Sequence, residues 1–139
     1  MPVESSSACP CGSGASYAAC CGRWHDGPEA GQQPTAEALM RSRYSAFVLD
    51  RRDVLRSTWH ASTRPAELEA PPPGLRWLGL TVKAHRVLDE THATVHFVAR
   101  SKLGGRAHRL EETSRFVREG GRWFYVDGDL HGEAAAGAR

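Results

Sequence analysis

The stretch "LRWLGLTVKAHRVL", residues 75–88, is where the chain changes period. Its apolar side chains are aromatic or branched and alternate with polar ones. Three further stretches of the same kind follow, "THATVHFVARSK" (91–102), "HRLEETSRFVRE" (108–119) and "RWFYVDGDL" (122–130). A period of two is the mark of strands with one buried face. The joints "DE", "LGGRA" and "GG" are short and suit hairpins. The second half is therefore expected to be a four-strand antiparallel meander. "PPPG" at 71–74 fits neither a helix nor a central strand and marks its upstream boundary.

Upstream of that boundary the period is helical. In "TAEALMRSRYSAFVLD" (35–50), Thr35 is placed as an N-cap and Glu37 lies in the first turn, where the helix dipole favours it. Leu39, Met40, Tyr44, Phe47 and Val48 form one apolar stripe. "RDVLRSTWH" (52–60) reads as a shorter helix and "RPAELEA" (64–70) as a third. Helices followed by a meander give an α+β fold, with the helices closing one face of a curved sheet. The end, "HGEAAAGAR" (131–139), has nothing to pack and is expected to fray.

Composition narrows the class. The 139 residues suit one domain with a small appendage, and 40% apolar content can build a core. A net charge of +2 is too small to argue for nucleic acid. No apolar run is long enough to span a membrane. "MPVESSSACP" lacks the apolar region of a secretory signal, so a cytoplasmic location is expected. Thiols stay reduced there, and clustered cysteines read first as metal ligands.

All four cysteines lie in "CPCGSGASYAACCG", residues 9–22. Four soft thiolates suit one tetrahedral zinc with Zn–S bonds of about 2.3 Å. The expected ligands are Cys9, Cys11, Cys20 and Cys21, with His25 close enough to replace Cys21. Gly12 and Gly14 let the chain turn behind the first pair. "SYAACC" reads as a helical turn ended by Gly22, and "RWHDGPEAGQQP" (23–34) as a linker. A disulfide inside either pair would close a strained ring.

This cluster resembles the SecA carboxy-terminal zinc motif, SEC-C, through Cys9, Cys11, Gly12, Ser13, Gly14, Tyr17, Cys20 and Cys21. The order of elements behind it resembles the nuclear-transport-factor-2-like cone. In detail, "LMRSRYSAFV", "TWH", "WLGLTV", "FVAR", "SRF" and "GRWFYVDG" are similar to the YchJ-like family of bacterial proteins. The resemblance implies a SEC-C-like knuckle at 1–27, a cone at 34–130 and a tail at 131–139. By analogy with the SecA motif, the leading reading is an adaptor rather than an enzyme. The knuckle would dock a protein partner, by analogy the chaperone SecB or the ribosome. The cone would bind a peptide, a small molecule or a second copy of the chain.

A hairpin tip at Gly120 and Gly121 sets the register of the last two strands. Phe116 then faces Tyr125, and Ser114 faces Asp127, on one side; Val117 faces Phe124 on the other. The face with Phe116, Trp123 and Tyr125 is expected to line the cone, with Glu112 and Asp127 at its mouth. Tyr44 and His60 are expected to join them from the helices. Val117, Phe124 and Val126 are left for the outer face or a dimer contact. Tyr44, His60, Glu112, Tyr125 and Asp127 are the residues available for acid–base chemistry, the alternative reading being a dehydratase- or isomerase-like enzyme. A third reading makes the knuckle a cap on one end of the cone. His92 and His96 share a strand face about 13 Å apart and cannot chelate one metal. Arg41, Arg43 and Arg115 are expected to pair with acids at the surface or rim, the alternative being an anion site.

Overall fold

The computed structural model describes residues 7–131. The leader reading of residues 1–6 and the fraying expected of 132–139 lie outside it. Three helices precede four strands: α1 (Cys21–His25), α2 (Ala36–Val48), α3 (Arg52–Ser57), β1 (Arg76–Val87), β2 (His92–Leu103), β3 (Arg106–Glu119) and β4 (Arg122–Leu130). The strands pair in chain order as one antiparallel sheet, β1-β2-β3-β4. The α+β meander and its joints are those the alternation implies. No described helix is long and apolar enough to cross a membrane.

The inner face of the sheet carries the core. Ala93, Val95, Phe97 and Ala99 of β2 are buried on it, and Phe116, Trp123 and Tyr125 join them from β3 and β4. Helix α2 lies across β1, β2 and β4. Its start follows from Thr35, whose hydroxyl accepts the Ala38 N–H at 3.0 Å. A single apolar stripe does not describe this helix, because Ser42, Arg43, Ser45 and Ala46 are buried as well as Leu39, Met40 and Tyr44. The cysteine segment packs on its serine side, and α3 lies on the other.

"RPAELEA" is not a helix. A segment this short cannot meet the cost of helix nucleation unless packing supplies it, and prolines bracket it. It runs over α3 in irregular conformation, dropping Leu68 against Ala46, Val54 and Leu55. After α3 the chain runs along the free edge of β4. The His60 N–H donates to the Tyr125 carbonyl at 2.7 Å, and the Tyr125 N–H donates to the Thr58 carbonyl at 2.8 Å. That edge is thereby covered.

The segment at 23–34 is stitched down and is not a free linker. Helix α1 takes its first residues, Trp24 and His25 are buried, and the Gly31 carbonyl accepts from Arg122 Nε at 3.0 Å. Gly22 lies within α1 and does not end a helical turn. A Cβ there would sit 2.7 Å from the Tyr17 carbonyl oxygen, so glycine allows the close approach of Tyr17.

Candidate functional site

Two arrangements carry chemistry, and they share one core. The first is the cysteine knuckle. The Cys9 N–H donates to the Ala15 carbonyl at 2.9 Å, closing a loop in which Gly12 and Gly14 take positive φ of 80° and 90°. The loop turns Cys9 and Cys11 toward Cys20 and Cys21, and one sulfur from each lies within 4.8 Å of the others. Cys11 Sγ and Cys20 Sγ are 3.6 Å apart, and the Ser13 hydroxyl donates to Cys20 Sγ at 3.1 Å. All four thiols are free, and Cys9, Cys11 and Cys21 are buried. Hydrogen bonds from Cys11 and Cys21 drive Cys9 far toward thiolate, and the same contacts drive Cys21 the other way. Packed thiols that must share protons in this manner form a donor set that could hold a metal ion.

His25 does not join that set. Its Nε2 donates to the Ser42 carbonyl at 2.8 Å, and its Nδ1 meets the Tyr17 hydroxyl at 2.7 Å. Burial pushes its pKa down, so the ring is neutral and Tyr17 donates to it. Tyr17, His25 and Ser42 thus tie the knuckle to α2. Arg41 Nη1 adds a bond to the Cys11 carbonyl at 3.0 Å, and Cys9 Sγ lies 3.5 Å from Ser45 Oγ. Cys9, Cys11 and Cys21 belong to the same buried cluster as Leu39, Phe97 and Tyr125. The knuckle is seated in the core of the cone.

The second arrangement is a cavity of about 180 Å³ between α2 and the inner face of the sheet. Its walls are aromatic: Tyr44 meets Trp77 edge-on at 5.7 Å, and Trp59 meets Tyr125 edge-on at 5.2 Å. Burial raises Tyr44 to about 12, which keeps its hydroxyl protonated. Glu112, only 1% exposed, brings a carboxylate to the wall. Its Oε2 accepts from Ser114 Oγ at 2.6 Å and from the Tyr125 hydroxyl at 3.4 Å. Arg43 is the residue that pattern reading missed. It is buried, not at the rim, with its guanidinium 4.4 Å from the Tyr125 ring centre and 5.1 Å from that of Trp59. Its Nη1 donates to the Leu55 carbonyl and to Thr58 Oγ1.

Tyr44, Glu112 and Tyr125 are therefore together in this wall, and two other expected members are not. Asp127 is exposed and pairs with Arg115. The register holds from the hairpin tip to Phe116 opposite Tyr125, but a bulge then sets Arg115 opposite Asp127. The extra residue, Val126, turns Asp127 to the outer face. Arg115 also pairs with Asp129, and Arg41 with Glu37, as expected of surface arginines. His60 lies outside the cavity, bonded to Glu119 and Ser62 and edge-on to Phe124. Along the edge of β4 successive side chains alternate, so Trp59 takes the inner side and His60 the outer.

Comparison with known proteins agrees with both parts. The model of the YchJ middle NTF2-like domain matches residues 35–128, and that of the SEC-C motif matches residues 6–23. A UPF0225 protein of Methylibium petroleiphilum is 67% identical over 122 residues, covering 88% of each chain. One from Bordetella parapertussis is 59% identical over 129 residues, covering 93% of this chain and 97% of its own. Among solved structures, a SEC-C motif containing protein from Rhodopseudomonas palustris superposes with a TM-score of 0.78 at 31% identity, covering 89% of this chain and 98% of that one. A second, from Psychrobacter arcticus, gives 0.74 at 29% identity, covering 93% and 85%.

Proposed function

This chain belongs to the YchJ, or UPF0225, family, a SEC-C motif joined to an NTF2-like domain, and from that membership we propose that it is a zinc-pinned binding protein whose cone holds a small molecule. The zinc supplies structure. A tetrahedral site with Zn–S of about 2.3 Å has sulfur–sulfur edges of about 3.8 Å, and four sulfurs within 4.8 Å need only a small contraction to fit it. Four thiolates close the coordination shell, which leaves no position for substrate.

The observation that carries the binding role is the cavity. At about 180 Å³ it slightly exceeds the apolar cavities of about 150 Å³ that accept benzene. Aromatic walls with one buried carboxylate suit a single-ring molecule carrying a hydroxyl or amine that donates to Glu112. Acid–base turnover by Glu112 and Tyr125 is the narrower version of this reading. The docking role implied for residues 1–27 falls to the exposed turn at 12–15, because Cys9, Cys11 and Cys21 are taken up by the core. Capture of the same partners by wild type and Ser13→Arg would end that role.

The test of the binding role is titration of the full chain with phenol and benzylamine, read by amide chemical shifts. Saturable shifts at Ala99, Ser114 and Tyr125 are expected. Ala99→Phe, which fills the cavity from β2, should abolish them while leaving the melt cooperative. Binding of neither probe, or equal binding in the filled variant, would contradict the reading.

A further inference from the structure

The outer face of the sheet carries a second group of metal-ligating side chains. His96 of β2, Glu111 of β3 and His131, just past β4, project from three adjacent strands, and one donor atom of each lies within 4.8 Å of the others. His131 reaches this position because its N–H donates to the Glu111 carbonyl at 2.9 Å, extending the β3–β4 ladder by one residue. Both imidazoles converge on the same carboxylate oxygen. His96 Nε2 is 2.5 Å from Glu111 Oε2, and His131 Nδ1 is 3.8 Å from it. The two rings lie face to face, with centres 4.7 Å apart.

Two other donor atoms of the group are already engaged, His131 Nε2 and Glu111 Oε1. The Thr113 hydroxyl meets His131 Nε2 at 2.8 Å, which leaves Nδ1 turned to the group. Arg109 Nη1 takes Glu111 Oε1 at 2.9 Å, which leaves Oε2. Outer contacts of this kind orient first ligands at built metal sites. We propose that His96, Glu111 and His131 form a second, solvent-facing site for one divalent first-row transition ion, separate from the cysteine knuckle. Two imidazoles and a carboxylate suit nickel, zinc or copper. The ion takes the place of the proton in the His96–Glu111 contact, and water completes its shell. With protein on one side only, the site is open and exchangeable.

The test uses the full, untagged chain with its cysteine site already metal-loaded, titrated with nickel chloride by calorimetry at neutral pH. Cysteine-bound metal is measured by elemental analysis of the same sample, so failure at the sheet face is distinguishable from failure at the knuckle. One saturable equivalent is expected. His96→Ala and His131→Ala should each weaken it by at least about tenfold, the size of change that even outer-contact substitutions reach. His92→Ala, on the same strand but paired with Asp89, should leave it unchanged. Both ligand histidines are surface residues, and circular dichroism checks that the variants fold. Absence of a saturable equivalent, its survival in the His96→Ala/His131→Ala double variant, or an equal loss in His92→Ala would overturn the proposal.

Discussion

Gly128 is there for Glu112. A Cβ at position 128 would lie 2.2 Å from Glu112 Oε2 and 2.7 Å from its carboxyl carbon, so the carboxylate would have to shift. The strand gives up a side chain so that a carboxylate can be buried next to it. Gly128→Ala should therefore cost about 1–3 kcal/mol, the usual range for overpacking. Urea denaturation measures it, and an unchanged midpoint would mean that Glu112 has room to move aside. A sign of this pairing is present in the chain, since a glycine inside a strand marks a bulge or a close approach. Here it marks both. The bulge between Arg115 and Phe116 is also why Asp127 was out of reach of pattern reading. Alternation carries a face assignment along a strand until one extra residue reverses it. Nothing local distinguishes Val126 as that residue.

Helix α2 is the element through which the parts meet. Its serines face the knuckle, its Leu39, Met40 and Tyr44 face the sheet, and its Arg43 reaches α3 and the cavity wall. The helix, its cap and its apolar stripe were legible because they depend on spacing and on one capping side chain. The burial of Ser42, Ser45 and Arg43 was not, because it depends on what packs on the two remaining sides. Arg43 holds the C-terminal end of α3 through the Leu55 carbonyl and Thr58. Arg43→Leu should cost about 3 kcal/mol or more, since it removes two hydrogen bonds from a charged group, worth roughly 1.5–3 kcal/mol each. Arg43→Lys should recover little of it, because an ammonium cannot reproduce the planar fork or its stacking on Tyr125 and Trp59. Chemical denaturation of both variants checks this, and full recovery by lysine would show that charge alone suffices.

At the scale of the whole molecule, the knuckle and the cone are one body. Counted by helix stripe and strand faces, residues 32–130 contain enough apolar sequence to suggest that they could fold alone. The structure adds what counting omits: Cys9, Cys11 and Cys21 are packed with Leu39, Phe97 and Tyr125, and the Tyr17–His25–Ser42 chain ties the two together. Metal binding at structural thiolate sites is coupled to folding and is worth on the order of 10 kcal/mol in isolated modules. Here that energy should reach the cone. The most direct measurement is thermal unfolding of the full chain before and after its metal is removed with chelator under reducing conditions. With Trp24 replaced by Phe, fluorescence of Trp59, Trp77 and Trp123 reports on the cone. About one zinc per chain is expected before removal, and a single transition that falls steeply after it. A cone transition that stays at the same temperature once the metal is gone would contradict it.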